Sequence, residues 1–124
     1  MSIYADTDFF LAIAKKEDWL KTNAQKLHNE HKGNIVTSVP TIVEASLIAK
    51  KKGIDDIENF IGSIFQIASV EGMSAEEGVE AAHLIQDENV NVFDAFHAVL
   101  SRGRPILSSE HIYDKLGKKR VRLE

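Results

Sequence analysis

Four acids, Asp6, Glu44, Asp94 and Glu110, are far apart in the chain, yet each stands where an apolar run gives way to a helix or turn. In the stretch YADTDFFLAI, Asp6 and Asp8 even interrupt a run that is otherwise apolar. An ionised carboxylate buried without a partner costs several kcal/mol, on the order of the whole stability of a small domain. Carboxylates drawn together also raise one another's pKa unless a cation neutralises them. A divalent metal resolves both problems. Hard oxygen donors in a chain with no Cys favour Mg²⁺ or Mn²⁺ over zinc, and such ions bind a few carboxylates together with substrate phosphates. Each acid taken singly has a structural explanation. Thr41 and Glu44 have capping-box spacing, Asn91 and Asp94 are spaced as N-cap and N3, and Asp6 suits a helix start. Capping alone does not require the acids to share one edge of a sheet.

The elements that would bring them together follow from periodicity. Residues Ser2 to Ala5 read as a strand and TDFFLAIAKK as a helix, which puts Asp6 at a strand-to-helix switch. EDWLKTNAQKLHNEH reads as an amphipathic helix with Trp19, Leu20 and Leu27 on its apolar side, stopped by Gly33. NIVTSV is a β-branched strand ending at Pro40, and TIVEASLIAKKKG a helix carrying Glu44. A further helix bears Ile57, Phe60, Ile61, Ile64 and Phe65, followed by a strand in QIASVEG. The next helix opens with Ser74 and Glu77 as a capping box, and NVFDAFHAVLSRG is another. RPILSS reads as a buried strand, EHIYDKLG as a helical turn and KRVRLE as an edge strand. Strands alternating with helices predict a parallel, doubly wound α/β sandwich, whose ligands bind beyond the carboxyl ends of the strands at a topological switch point.

A chain of 124 residues suits a single domain, residues 1–124. The lack of Cys excludes disulfides and thiolate zinc sites. With no signal-peptide pattern and no apolar run of membrane-spanning length, a cytoplasmic location is the expectation. The net charge of −4 hides a basic C-terminal stretch, KLGKKRVRLE, able to face a phosphate backbone or simply to be solvated.

Four segments in register, ADTDFFLAI, SVPTIVEASL, NVFDAFHAVL and ILSSEHIYDKLG, resemble the PIN domain family, metal-dependent nucleases that include the VapC toxins of toxin–antitoxin pairs. The resemblance implies a PIN-like three-layer sandwich with a central, mostly parallel sheet flanked by helices, and an acidic pocket that binds Mg²⁺ or Mn²⁺ and cleaves RNA. It implies catalytic and metal-binding roles for Asp6, Glu44, Asp94 and Glu110. The fourth acid of the family is usually an Asp in a Ser-x-Asp or Thr-x-Asp motif; here Glu110 takes its place, with Ser108 matching the hydroxyl. Asp8 and Ser108 are secondary candidates. The implied chemistry is in-line attack of a metal-activated water on phosphorus, without a side-chain nucleophile. The implied partners are an RNA substrate, an antitoxin protein docking on the apolar residues between Leu47 and Phe65, and a second copy in a homodimer. Lys15, Lys16, Arg102, Arg104 and the basic tail are the cations available to an RNA.

Other patterns carry less. His28 and His31 share a helical face but have no further ligands in view. DENVNV starts like a calcium loop, then places Val92 where Gly is required. His97, one turn after Asp94, reads as a hydrogen-bonded structural histidine near the site, and Lys50 to Lys52 as the basic end of a helix. Two rival readings remain: a catalytically weak PIN domain serving as an RNA-binding or scaffolding module, and a phospho-receiver domain, which lacks its middle-strand Asp and late Lys here.

Overall fold

The computed structural model describes residues 1–15 and 19–124; Lys16 and the expected helix start at Glu17 and Asp18 lie outside them. Its elements, in chain order, are β1 (Ile3–Ala5), α1 (Thr7–Ala14), α2 (Lys21–Glu30), β2 (Ile35–Ser38), α3 (Val39–Lys51), α4 (Ile57–Ile67), β3 (Ser69–Glu71), α5 (Ala75–Asp87), α6 (Val92–Leu100), β4 (Ile106–Ser108), α7 (Ile112–Lys115) and β5 (Arg120–Arg122). The strands form one sheet in the order β3-β2-β1-β4-β5, and every pairing is parallel. The sheet expected to be mostly parallel is therefore wholly so. From β1 the chain winds outward through β2 to β3, then returns to the other side of β1 to lay down β4 and β5. The switch point falls between β1 and β4, where a crevice opens beyond the strand ends.

Alternation along the strands feeds two cores. Ile3, Ala5, Ile35 and Leu107 pack on one face with Phe9, Phe10, Leu27, Ala45, Phe60 and Ile64 from α1 to α4. Tyr4, Val36 and Ile106 point the other way and pack with Ala98, Leu100 and Tyr113 from α6 and α7. This period of two, buried on both faces, is why β1, β2 and β4 open as apolar runs, whereas the edge strands β3 and β5 do not. Among the described residues no helix is long and apolar enough to cross a membrane.

Several local expectations are corrected. Trp19 is 79% exposed, because α2 begins only at Lys21 and its buried side is carried by Ala24 and Leu27. Helix α3 starts at Val39, with Pro40 inside its first turn where a missing N–H costs nothing. Its N-cap is Ser38, so Thr41 and Glu44 form no capping box; the Thr41 hydroxyl instead accepts from Thr37 at 2.8 Å. Ser74 and Glu77 do form theirs. Arg102 pairs with Glu71 and Glu77 and Arg104 with Glu71, tying the turn after α6 to β3 and α5, and Arg120 is held by Asp114 and Glu124. These three arginines, expected to be available to RNA, are neutralised within the fold.

Candidate active site

Asp6 is the residue directly after β1 and the N-cap of α1. Its Oδ1 accepts from the Asp8 N–H at 2.9 Å, satisfying one of the orphan donors of the helix. Its Oδ2 accepts from the Ser108 hydroxyl at the end of β4 and from the Tyr113 hydroxyl of α7, both at 2.9 Å. Only 4% of Asp6 is exposed, and three donors hold its carboxylate. The Tyr113 hydroxyl is driven far above its usual pKa by burial and then by the charges of Asp6 and Asp94, so it remains a donor. Capping is compatible with a metal role for Asp6, since Oδ1 accepts one bond and retains lone-pair capacity, whereas Oδ2 already accepts two.

Asp8 lies in the first turn of α1 but does not serve its own helix. Its Oδ2 accepts from the Ser109 N–H at 2.8 Å and from the Ser109 hydroxyl, bridging the crevice to the loop after β4. Its Oδ1 is buried with no hydrogen-bond partner. Burial, then the charge of Asp6, push the carboxyl up to about 8, against the opposing bonds from Ser109. The N-cap of α1 is Asp6, as its position at the helix start suggested.

Glu44, on the second turn of α3, accepts from the Thr7 hydroxyl and from His97 Nε2, the latter at 2.9 Å. Burial raises its pKa, but the bonds from His97 and Thr7 outweigh it and hold the carboxyl below the usual range. His97 is 1% exposed, and its Nδ1 lies 2.8 Å from the Tyr4 hydroxyl, itself 2.7 Å from the Ser38 hydroxyl. Burial opposes charge on the imidazole, yet Tyr4, Glu44 and Asp6 together push it up to about 10. Both ring nitrogens then donate, one to Glu44 and one to Tyr4. Asp94, on the first turn of α6, is raised by burial and then by the charge of Glu110. Asn91 caps that helix through the Phe93 N–H at 3.1 Å, leaving Asp94 free to face the crevice.

Asp6, Asp8, Glu44, Asp94 and Glu110 all line one cavity of about 170 Å³. Ser108 stands behind it, bonded to Asp6. Sequence reasoning did not find Thr7 and Tyr113, which position two of these acids. As the residue after Asp6, Thr7 was within reach of such reasoning, but nothing local marks Tyr113. The donor set is all carboxylate oxygen, one of them buried and unpartnered, and in kind it fits a hard divalent cation. Among the described residues no three acidic or His groups are gathered closely enough to hold an ion as they stand, so water would complete much of its shell. His28 and His31 form no such group either.

An acidic crevice at the switch point of a five-stranded, all-parallel, doubly wound sheet defines the class. Several solved structures share the fold. A Mycobacterium tuberculosis VapC20 toxin, described as sarcin-ricin loop cleaving, aligns with a TM-score of 0.84 at 19% identity, covering 98% of this chain and 99% of that one. A chain of VapBC2 from Rickettsia felis, bound to a promoter DNA fragment, aligns at 0.70 and 14% identity, with 98% of each chain covered. A chain of VapBC-1 from nontypeable Haemophilus influenzae aligns at 0.68 and 16% identity, covering 99% of this chain and 98% of that one. The chain has the VapC-like PIN fold. No protein-family model and no curated protein matches the sequence.

Proposed function

We propose that the protein is a Mg²⁺- or Mn²⁺-dependent endoribonuclease, the toxin of a toxin–antitoxin pair. The observation that carries this reading is the convergence of Asp6, Asp8, Glu44, Asp94 and Glu110 on one cavity at the β1/β4 switch point. The VapC fold, shared with a toxin described as cleaving the sarcin-ricin loop, supports RNA as the substrate. Asp6, Glu44, Asp94 and Glu110 would hold the cation, with Asp8 beside them. Once bound, the ion would supply a water of lowered pKa and offset the charge that develops on the phosphate oxygens.

The remaining work belongs to the chain itself. Ser108 and Tyr113 fix the Asp6 carboxylate, while His97 and Thr7 fix that of Glu44, so neither has to be ordered when substrate arrives. Ser109 anchors Asp8. A metal-titrated assay on single-stranded RNA tests the reading. Cleavage should require Mg²⁺ or Mn²⁺, disappear in Asp94→Asn and survive Ser63→Ala. RNA binding without cleavage at any metal concentration would instead favour the binding-module reading, with the exposed Glu110 as the weak member.

An antitoxin partner is part of the proposal, supported by the VapBC complexes that share the fold. Leu47 and Phe65 are 58% and 56% exposed. A cavity of about 420 Å³ between α1 and α4 is lined by Ile13, Ile54, Phe60 and Ile67. Charged substitutions at Leu47 and Phe65 should weaken capture of the antitoxin; an unchanged complex would remove this surface from the proposal. Homodimerisation is proposed with it and is read directly by sedimentation.

A further inference from the structure

A second cavity, of about 370 Å³, adjoins the acidic one and shares Glu44 and Ile48 with it as a common wall. Its other sides are formed by Leu47 and Lys51 of α3 and by Asn91 and Phe93 at the start of α6. Asp94, the next residue after Phe93, lines the acidic cavity, so the two sites are joined through sequence as well as through space.

The side chains here are ill suited to a purely structural role. Phe93 belongs to none of the hydrophobic clusters, unlike Phe96 one turn on, which packs against two of them. Lys51 forms no ion pair among the described residues, although Glu44 lines the same cavity. The Asn91 amide oxygen caps α6, which leaves its amino group free to donate. An aromatic face, one donor amide and one cation beside a phosphate-processing centre match the parts of an unpaired nucleotide: base, base edge and flanking phosphate. Phe93 also lines an apolar cavity with Val43, Met73 and Phe96, which offers neither a charged nor an amide side chain.

We infer that the cavity walled by Phe93, Lys51 and Asn91 is a nucleotide subsite, in which Phe93 stacks on the base next to the scissile phosphate and Lys51 holds the adjoining backbone phosphate. The inference rests on the ribonuclease reading and adds to it a residue that selects for unstacked, single-stranded substrate. An aromatic ring at the mouth of the site accepts a base only after it has left a helical stack.

The test is anisotropy of a fluorescein-labelled single-stranded RNA in EDTA, where cleavage is silent, together with steady-state kinetics in Mn²⁺. Phe93→Leu keeps the apolar bulk and removes the aromatic face; it should weaken binding about ten-fold and raise KM more than it lowers kcat. Phe93→Trp should bind at least as tightly as the parent. Lys51→Ala should weaken binding and flatten its dependence on salt. Wild-type protein that neither binds nor cuts RNA would overturn the underlying reading and the subsite together. Cleavage by the wild type with Phe93→Leu binding equally well would overturn the subsite alone. So would a Phe93→Leu protein with normal RNA affinity but an altered sedimentation coefficient, which would give this wall to a protein contact.

Discussion

Asp6 and Asp94 line the same cavity but are held very differently, and their substitutions should separate structure from chemistry. Removing the Asp6 carboxylate leaves Ser108, Tyr113 and the Asp8 N–H without their acceptor in a buried place. Asp6→Ala should therefore cost about 2–4 kcal/mol in urea unfolding as well as abolishing cleavage. Asp94→Asn relieves a carboxylate already disfavoured by burial and by Glu110, so its stability should stay within about 1 kcal/mol of the parent while cleavage is lost. His97 gives a pH signature. Its folded pKa of about 10 lies above the ordinary 6.5, so its stabilising contribution is complete below about pH 6.5 and is lost as pH rises through 10. In EDTA, the stability gap between wild type and His97→Gln should shrink steadily over that window; a constant gap would mean that the imidazole is neutral throughout. The acids themselves were legible because each follows a strand or lies in the first two turns of a helix. Their supports were not: Tyr113 is 107 positions from Asp6, and His97 is 53 from Glu44, and no local pattern encodes contacts set by packing.

At the scale of elements, α4 carries an unexploited gain. Gly62 sits within the helix with open space where a Cβ would go, so Gly62→Ala should stabilise by up to about 1 kcal/mol by restricting the unfolded chain. Chemical denaturation reads this directly, and RNA cleavage should not change. The helices whose ends are chemically marked were readable, as with Ser74 and Glu77 at α5. The start of α2 was not: Trp19 fitted the apolar face of a longer helix, but the helix begins two residues later and leaves the indole in solvent. Arg102 and Arg104 were misread for a related reason. Their acids, Glu71 and Glu77, come from β3 and α5, and only the tertiary fold shows that these charges are already matched.

For the molecule as a whole, the cation proposed for the acidic crevice would be a folding ligand. A metal that binds the native state alone raises stability with its concentration, by about 2.7 kcal/mol at a hundredfold excess over its Kd. Mn²⁺ should therefore raise the thermal midpoint of the wild type in a concentration-dependent way, and this rise should be largely absent in Asp94→Asn. An equal rise in both would place the ion elsewhere. The layered parallel architecture could be read from alternating strand and helix patterns, because burial on both sheet faces leaves apolar runs at the start of β1, β2 and β4. Strand order could not, since nothing in β4 names β1 as its neighbour.

That order has a consequence for the nascent chain. Of the five strands β1 leaves the ribosome first, but it lies at the centre of the sheet, and β4, Ser108 and Tyr113, which complete its acidic edge, are made much later, Ser108 and Tyr113 lying 102 and 107 positions after Asp6. Until they arrive, Asp6 has lost two of its three donors and Glu110 does not exist. The acidic edge at the centre of the sheet would thus be closed, through topology alone, only after β4 and α7 had been made.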